Sequence, residues 1–424
     1  MCSVKELNWQ ETIPVAKKYD LIVCGGGVAG VAAALAGRRR GLSTLLLDKL
    51  CVLGGLATAG LVNYWVPLCN GRGKYIIKGL AQELLQLSLA HSFNTLSPDW
   101  KHGEPNHETT QRSDTFFSGG MFSLALLKLL TDEGVDIVYD ALVSAPVMDG
   151  KHCAGVIIDG KSGRRFYPCA VLVDATGDAS IMKQAGVPTT DGKNFFTYYG
   201  EGITLDGCRA AVEKKNIFLA YYHPFGGDAN LHGQFQPDEK LPYVGCSMET
   251  INQYLQENQL RMYDKESGHC GMEQNIHTLP GIPQLRTARR ILGIETLTGE
   301  NCYRHCDTSI GTICDFEYRD RLYEVPYGVL IKDGFDNLIT CGRSASASGW
   351  GWDVLRVIPA AVLTGQAAGT AAALAVFHAV PIADVPIEKL QKALADTGVI
   401  IHFDDSWVPQ AEADDGHAAS IDHI

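Results

Sequence analysis

The run VCGGGVAG at residues 23–30 constrains this chain more than any other feature. Residues 19–24 are a short apolar stretch ending in glycines, residues 28–40 read as a small-residue helix, and residues 43–48 read as a second apolar strand. Strand, glycine turn, helix, strand is a βαβ unit, the signature of a parallel sheet. Inside it Gly25, Gly27 and Gly30 fall in the G-x-G-x-x-G frame. One glycine makes the tight turn, the second lets the backbone approach a pyrophosphate, and the third allows helix and strand to pack closely. A diphosphate then rests on the helix N-terminus, among free N–H groups and the positive end of the dipole. Asp48, 21 residues after Gly27, ends the second strand, where a carboxylate can accept hydrogen bonds from a ribose. An ordinary glycine turn requires neither the flanking strands nor the terminal acid.

Composition narrows the partners. A chain of 424 residues has room for two or three domains and a large core. With 46% hydrophobic and 20% charged residues it reads as globular. A formal charge of -12 argues against nucleic acid, because no basic excess exists to replace counterions. Thirteen cysteines stand without a repeated short spacing, and the start MCSVKELNWQETIPVAKK has no apolar leader region. Reduced thiols and a cytoplasmic location are the expectation. Residues 21–35 are too short and too rich in glycine for a membrane span, so no membrane association is expected.

NAD and FAD sites share the fingerprint, and the loop beyond the second strand separates them. After Asp48 and Lys49 comes a second glycine-rich loop, CVLGGLATAG, which a nicotinamide domain does not need and a longer, more enclosed cofactor does. VLVDATGDAS places Asp174, Ala175, Thr176, Gly177 and Asp178 at a further strand end. With LRTARRILG, YEVPYGVLI and NLITCGRSASAS…LRV…TGQAAGTAAALA in this order, the chain resembles the FAD-dependent oxidoreductases of glutathione-reductase type, and within them a bacterial group. The resemblance implies an α/β fold: an FAD-binding Rossmann-like domain with an interleaved α+β substrate/cap domain. It also implies a flavoenzyme whose cofactor is FAD.

Residue by residue, the resemblance implies that Gly25, Gly27, Val28, Ala29, Gly30, Asp48 and Lys49 hold pyrophosphate and adenosine. Gly54, Gly55, Leu56 and Thr58 would lie near the ribityl chain and ring, and Val143 would offer its backbone to the adenine. Ala175, Thr176, Gly177 and Asp178 would pass over the dinucleotide. Gly342 and Arg343 would begin the segment that reaches the flavin, followed by the helix carrying Gly365 and Gln366, whose N-terminus would stabilise negative charge on the reduced ring. The stripe TGQAAGTAAA also reads as a core helix packed against the fingerprint helix.

Departures from related patterns matter as well. Cys51 stands alone and the next cysteine is Cys69, so a dithiol relay is not expected. No second G-x-G-x-x-G is present for a pyridine nucleotide. Where many relatives carry a histidine after the GR…S loop, this chain has Gly349, Trp350, Gly351 and Trp352. The two tryptophans either wall a substrate pocket or seal a domain junction, and the pocket wall is the expectation.

The expected FAD-binding domain is discontinuous, over residues 1–62, 111–190 and 336–400. Residues 63–110, a loop-rich insertion, and 191–335 form the substrate/cap domain, and 401–424 form a tail. Arg286, Arg289 and Arg290 fit either an anion-binding surface for a carboxylate or phosphate substrate, or structural salt bridges or contact with the cofactor diphosphate. Cys302, His305, Cys306 and Cys314 lack the paired spacing of a metal site, and none is expected. His91, His102 and His107 are expected in solvent. Tyr198 and Tyr199, or Tyr221, Tyr222 and His223, line a pocket or simply pack. For substrate oxidation a base near the reacting hydroxyl or amine is required, and Asp353, His277 and Tyr327 are the candidates, with Arg356 as an electrostatic partner of flavin or anionic substrate. The leading reading is hydride transfer between a small-molecule substrate and flavin N5, with assembly into a homo-oligomer left open. The competing reading is an FAD-containing electron-transfer subunit or flavin-binding partner protein.

Overall fold

Strand Tyr19–Cys24 lies at the centre of a seven-stranded sheet. It pairs in parallel with Thr44–Leu47 on one side and with the end of Gly163–Asp174 on the other, Leu21 lying opposite both Thr44 and Val171. Asp136–Val138 and Leu338–Thr340 extend the parallel pairing outward. The first half of Gly163–Asp174 turns instead to an antiparallel meander with His152–Gly160 and Leu142–Asp149. Central parallel strands are covered on both faces, which is why YDLIVC and TLLL read as continuous apolar runs without alternation. This is the expected α/β class. The computed structural model describes residues 10–230 and 232–410, so the expectations on residues 1–9 and on the tail beyond 410 lie outside the described residues.

Two helices pack across each other over one face of the sheet. The fingerprint helix Val28–Arg39 and the C-terminal helix Ile358–His378 approach so closely that a Cβ added at Gly365 would strike the backbone of Ala29, and one at Gly369 that of Ala33. Small residues on both partners make this spacing possible. By length and composition Ile358–His378 is the one helix among the described residues able to cross a membrane, yet its residues from Ile358 to Ala373 are all buried in the core.

A second, α+β part contains short antiparallel ribbons. Glu201–Thr204 pairs with Tyr221–Tyr222 and Gln274–Thr278, and Thr197–Tyr199 pairs with Phe225–Asp228. Helix Met248–Glu266, capped by Ser247, packs on them over a separate core of Phe196, Tyr198, Tyr243, Tyr254 and Met262.

The insertion at 63–110 differs from expectation. It holds helix Leu80–Leu89, and its buried Trp65, Leu68, Tyr75, Leu84 and Trp100 join the main core, not the cap's. The same holds for the hairpin of Ser309–Cys314 and Leu322–Pro326, every residue of which is buried. Large apolar residues separated by polar loops show no periodicity along the chain and meet only in the fold.

Ile401, Phe403, Trp407 and Val408 of the expected tail also pack on the main core, with Phe403 buried. His305 and His402 point Nδ1 at the buried Glu324 carboxylate, at 2.6 and 2.9 Å, which also accepts the N–H of Cys306 (2.7 Å) and of Phe403 (3.2 Å). These three side chains bring potential metal-ligating atoms within 4.8 Å of one another, but each Glu324 oxygen is already matched by one imidazole and one backbone N–H. His305 Nε2 meets Asp405 at 2.9 Å, so the ring lies between two carboxylates that favour its charged form. The Asp405 bond, and then the Glu324 bond, raise its pKa. A raised imidazole pKa contributes stability that is complete below the ordinary value of about 6.5 and is lost as pH rises through the raised value. Hydrogen exchange over residues 401–407, corrected for intrinsic rates, is therefore expected to accelerate as pH climbs above that ordinary value, and His305→Gln should flatten the profile. Equal protection in wild type and variant across the range would refute this contribution of His305.

Candidate active site

The strand ends and the ribbon part together enclose a cavity of about 850 Å³. At one end the fingerprint helix opens into it. Gly27 is its N-cap, without a side-chain cap and without an acidic residue in the first turn, and a Cβ placed there meets nothing within 4 Å. Gly25, at φ +111, makes the turn and packs against the Ala175 carbonyl. Gly30 packs against the Gly25 carbonyl and lies outside the cavity, as a packing glycine should. The helix N-terminus is thus left bare at the one glycine with free space beside it, which suits a diphosphate.

Asp48 is buried at the end of its strand. One oxygen accepts the N–H of Gly26 at 2.5 Å and the other that of Leu50 at 2.8 Å. Burial pushes its carboxyl pKa up, against the opposing pull of these N–H groups. It therefore fixes the glycine turn as well as lining the cavity. Val28, Ala29, Lys49, Gly54, Gly55, Leu56, Val143 and Ala175 to Asp178 line the same space, as do Gly342, Arg343 and Arg356. The carboxylate of Asp174, which does not, receives the N–H groups of Thr176, Ile181 and Met182 and holds the DATGD turn in shape.

Three of the expected cofactor residues are engaged away from the cavity. Thr58 turns its hydroxyl away to the Leu53 carbonyl at 2.6 Å and does not line the cavity. Gly365 serves the crossing of the two core helices. Gln366 is a strut, accepting the Leu80 N–H at 2.8 Å and donating to Thr397 at 2.9 Å. The N-terminal residues of that helix, Ile358 and Ala361, reach the cavity in their place.

The base candidates are not brought together. His277 is exposed on its ribbon, beside Tyr221 and bonded to Thr278. Tyr327 is buried and donates its hydroxyl to the Ile382 carbonyl at 2.7 Å, and burial drives its pKa up. Asp353 accepts both Nε and Nη2 of Arg356, at 2.9 and 2.7 Å, and is spent on that pair. None of the three lines the cavity, whereas Arg356 does.

The tryptophans seal a junction and do not wall the pocket. Trp352 is buried, donates to the Arg343 carbonyl at 2.9 Å and carries the Arg290 guanidinium 5.5 Å above its ring. Trp350 donates to Asp315 at 2.6 Å and stacks on His232. Of the arginine trio, Arg289 pairs with Asp191 at 2.9 Å, Arg290 stacks, and Arg286 lines the cavity. Tyr198 and Tyr199 line it too, while His223 packs against Phe116 outside. Sequence reasoning misses Phe225 and Gln284, which complete this wall. Gln284 donates to the carbonyls of Gly60 and Tyr199 at 2.8 and 3.2 Å, tying the second glycine loop to the ribbons. No pattern in PQLR announces this, because both partners come from distant segments.

Residues 20–220 and 230–394 match the family described as FAD dependent oxidoreductase. The chain belongs to that family. Its cofactor is FAD, and the bare helix terminus, the open Gly27 and the Asp48 strand end fit the cofactor's diphosphate and ribose. This FAD-dependent oxidoreductase is 27% identical over 223 residues to NADH:fumarate oxidoreductase of Klebsiella pneumoniae (strain 342), covering 45% of this chain and 24% of that protein. The chain thus spans about a quarter of that relative's length. Among solved structures it is similar to a geranylgeranyl bacteriochlorophyll reductase-like protein of Thermoplasma acidophilum, with 14% identity, a TM-score of 0.42, and 89% and 82% of the two chains covered. It is also similar to a flavoprotein/dehydrogenase of Cytophaga hutchinsonii, with 13% identity, a TM-score of 0.42, and 89% and 83% covered.

Proposed function

We propose that this enzyme transfers a hydride between a small organic substrate and flavin N5 inside the cavity. One observation carries the reading. The same space runs from the Gly27 cradle to a wall of Tyr199, Phe225, Gln284 and Arg286, where the flavin end of the cofactor and a small substrate would meet. When bound, FAD supplies the two-electron chemistry. The protein's part is to position and to exclude water. The glycine turn and Asp48 would hold the cofactor's diphosphate and ribose, Gly342 and Arg343 would bring backbone to it, and the ribbons line the far side of the cavity. Tyr199 donates its hydroxyl to the Leu61 carbonyl at 2.8 Å, and with Gln284 it locks the cap onto the second glycine loop. Arg356, fixed by Asp353, stands immediately before the C-terminal helix whose first residues face the cavity. The positive end of that helix favours negative charge developing beside it.

The visible spectrum of the purified protein tests the first half of this reading, and anaerobic bleaching by a panel of hydroxy acids, sugars, amines and steroids tests the second. A yellow protein that none of these donors bleaches, and whose chemically reduced form no matching carbonyl or alkene reoxidises, would overturn hydride transfer to a small molecule.

A further inference from the structure

Three guanidinium groups reach the cavity, and two are already committed. Arg356 is paired with Asp353. Arg343 donates to the carbonyls of Gly177, at 2.6 Å, and of Leu285, and has Asp178 as its nearby negative charge. Arg286 is different. Its backbone N–H is held by Asn194 at 2.6 Å, but its guanidinium donates to no described residue, and its Nη1 is sealed from solvent without an acceptor. The charges acting on it are Arg356, which repels it, and Asp353, which is already bound. Burial first, and Arg356 second, bring its pKa down to about 10, so it is still a cation at neutral pH. The Arg286 side chain is only partly buried, but a charged donor atom sealed from water without a partner costs more than a neutral one. Arg289, three residues further on, pairs with Asp191, and Arg290 stacks on Trp352 and donates Nη1 to the Ile291 carbonyl at 3.3 Å while its Nε is also left without an acceptor, but neither of these two lines the cavity.

We infer that Arg286 binds the carboxylate of a monoanionic substrate with a compact apolar body, the substrate class for the hydride transfer proposed above, on which this inference rests. The charge count selects the monoanion. Arg356 and Asp353 cancel, Arg343 has the charge of Asp178 nearby, Asp228 is taken up by Arg261 and Lys265, and Lys49 is exposed at the Asp48 end. One uncompensated positive charge therefore remains in this wall. A planar guanidinium matches a carboxylate in shape and charge, and gains most where both are removed from water. The neighbouring wall of Tyr199, Phe225, Ile282, Pro283 and Phe316 is apolar and offers no second cation for a dianion.

The test is a titration of the flavin-loaded enzyme, read by the flavin difference spectrum and by thermal shift. The probes are acetate, isobutyrate and benzoate, each against its amide, with succinate and inorganic phosphate as dianions. Saturable binding of at least one monocarboxylate, tenfold or more tighter than its amide and than either dianion, is expected. Arg286→Gln should weaken that binding at least 30-fold, Arg286→Lys should retain part of it, and Arg289→Gln should leave it unchanged. Amides binding as well as acids, a dianion binding best, or an unaffected Arg286→Gln would each overturn the inference. So would Arg286→Gln and Arg286→Lys both releasing flavin from folded protein, since Arg286 would then serve the cofactor. The acid-against-amide comparison uses wild type alone and decides the matter even if a variant does not fold. Failure of the underlying reading looks different: the wild type would carry flavin that no donor bleaches, whatever anion it binds.

Discussion

Gly27→Val is expected to give a folded, soluble and colourless protein. Gly27 has φ -64 and ψ 172, backbone that any residue adopts, and a Cβ there meets no protein atom within 4 Å. The substitution therefore costs the fold little. The space it fills is the approach to the bare helix N-terminus, where the diphosphate takes its backbone hydrogen bonds. Losing two charge-assisted bonds at about 1.5–3 kcal/mol each weakens FAD retention by roughly 100-fold or more. The check is the flavin-to-protein absorbance ratio after gel filtration, together with Tm. The variant should melt with flavin-stripped wild type, because it lacks only the stabilisation that bound cofactor adds by mass action. A yellow variant, or one melting far below the stripped protein, would remove Gly27 from the cofactor's path.

Gly365→Leu should fail in the opposite order, losing the fold before any question of cofactor arises. Gly365 does not line the cavity, but a Cβ on it would strike the carbonyl, carbonyl carbon and Cα of Ala29. That obstacle is backbone, not a side chain that can swing aside, so the two core helices must move apart. Overpacking of this kind costs about 3 kcal/mol or more, and a drop in Tm of roughly 4 °C or more results for a chain of this size. Because the helix displaced is the fingerprint helix, flavin is lost as a consequence of the melt. Measuring Tm in flavin-free wild type and variant separates the two glycines: Gly27→Val leaves it in place and Gly365→Leu lowers it. A Gly365→Leu protein with unchanged Tm would show that the helix crossing has slack that the packing does not reveal.

These two glycines also mark how far the sequence can be read. Gly27 is legible because its role is local: strand, turn, helix and acid lie within some 30 residues, and each step comes from backbone geometry. The same is true of Gly25, Asp48 and the DATGD turn, all of which the fold uses at the cavity or next to it. Resemblance places Gly365, Gln366 and Thr58 at the cofactor, and the fold gives all three to packing. Their partners, Ala29, Leu80 and the Leu53 carbonyl, are chosen by the helix crossing and the loop path. Asp353 reads as a base because it comes after the flavin-reaching loop, and only the turn of a short helix shows that Arg356 occupies it. For Arg286, Arg289 and Arg290 the sequence offers an anion site, salt bridges or contact with the cofactor diphosphate. The structure pairs Arg289 with Asp191 and leaves Arg286 Nη1 without an acceptor at the cavity.

By itself the sequence determined the parallel α/β core, the dinucleotide cradle and the family, since these depend on contacts between neighbours along the chain and on backbone rules that hold in any context. The tertiary structure alone decided which guanidinium is left without a partner, which tryptophan seals a junction, and that residues 63–110 belong to the main core. Those outcomes turn on charge pairing and close packing between residues far apart in the chain, and such pairings leave no period or spacing in the sequence to be read.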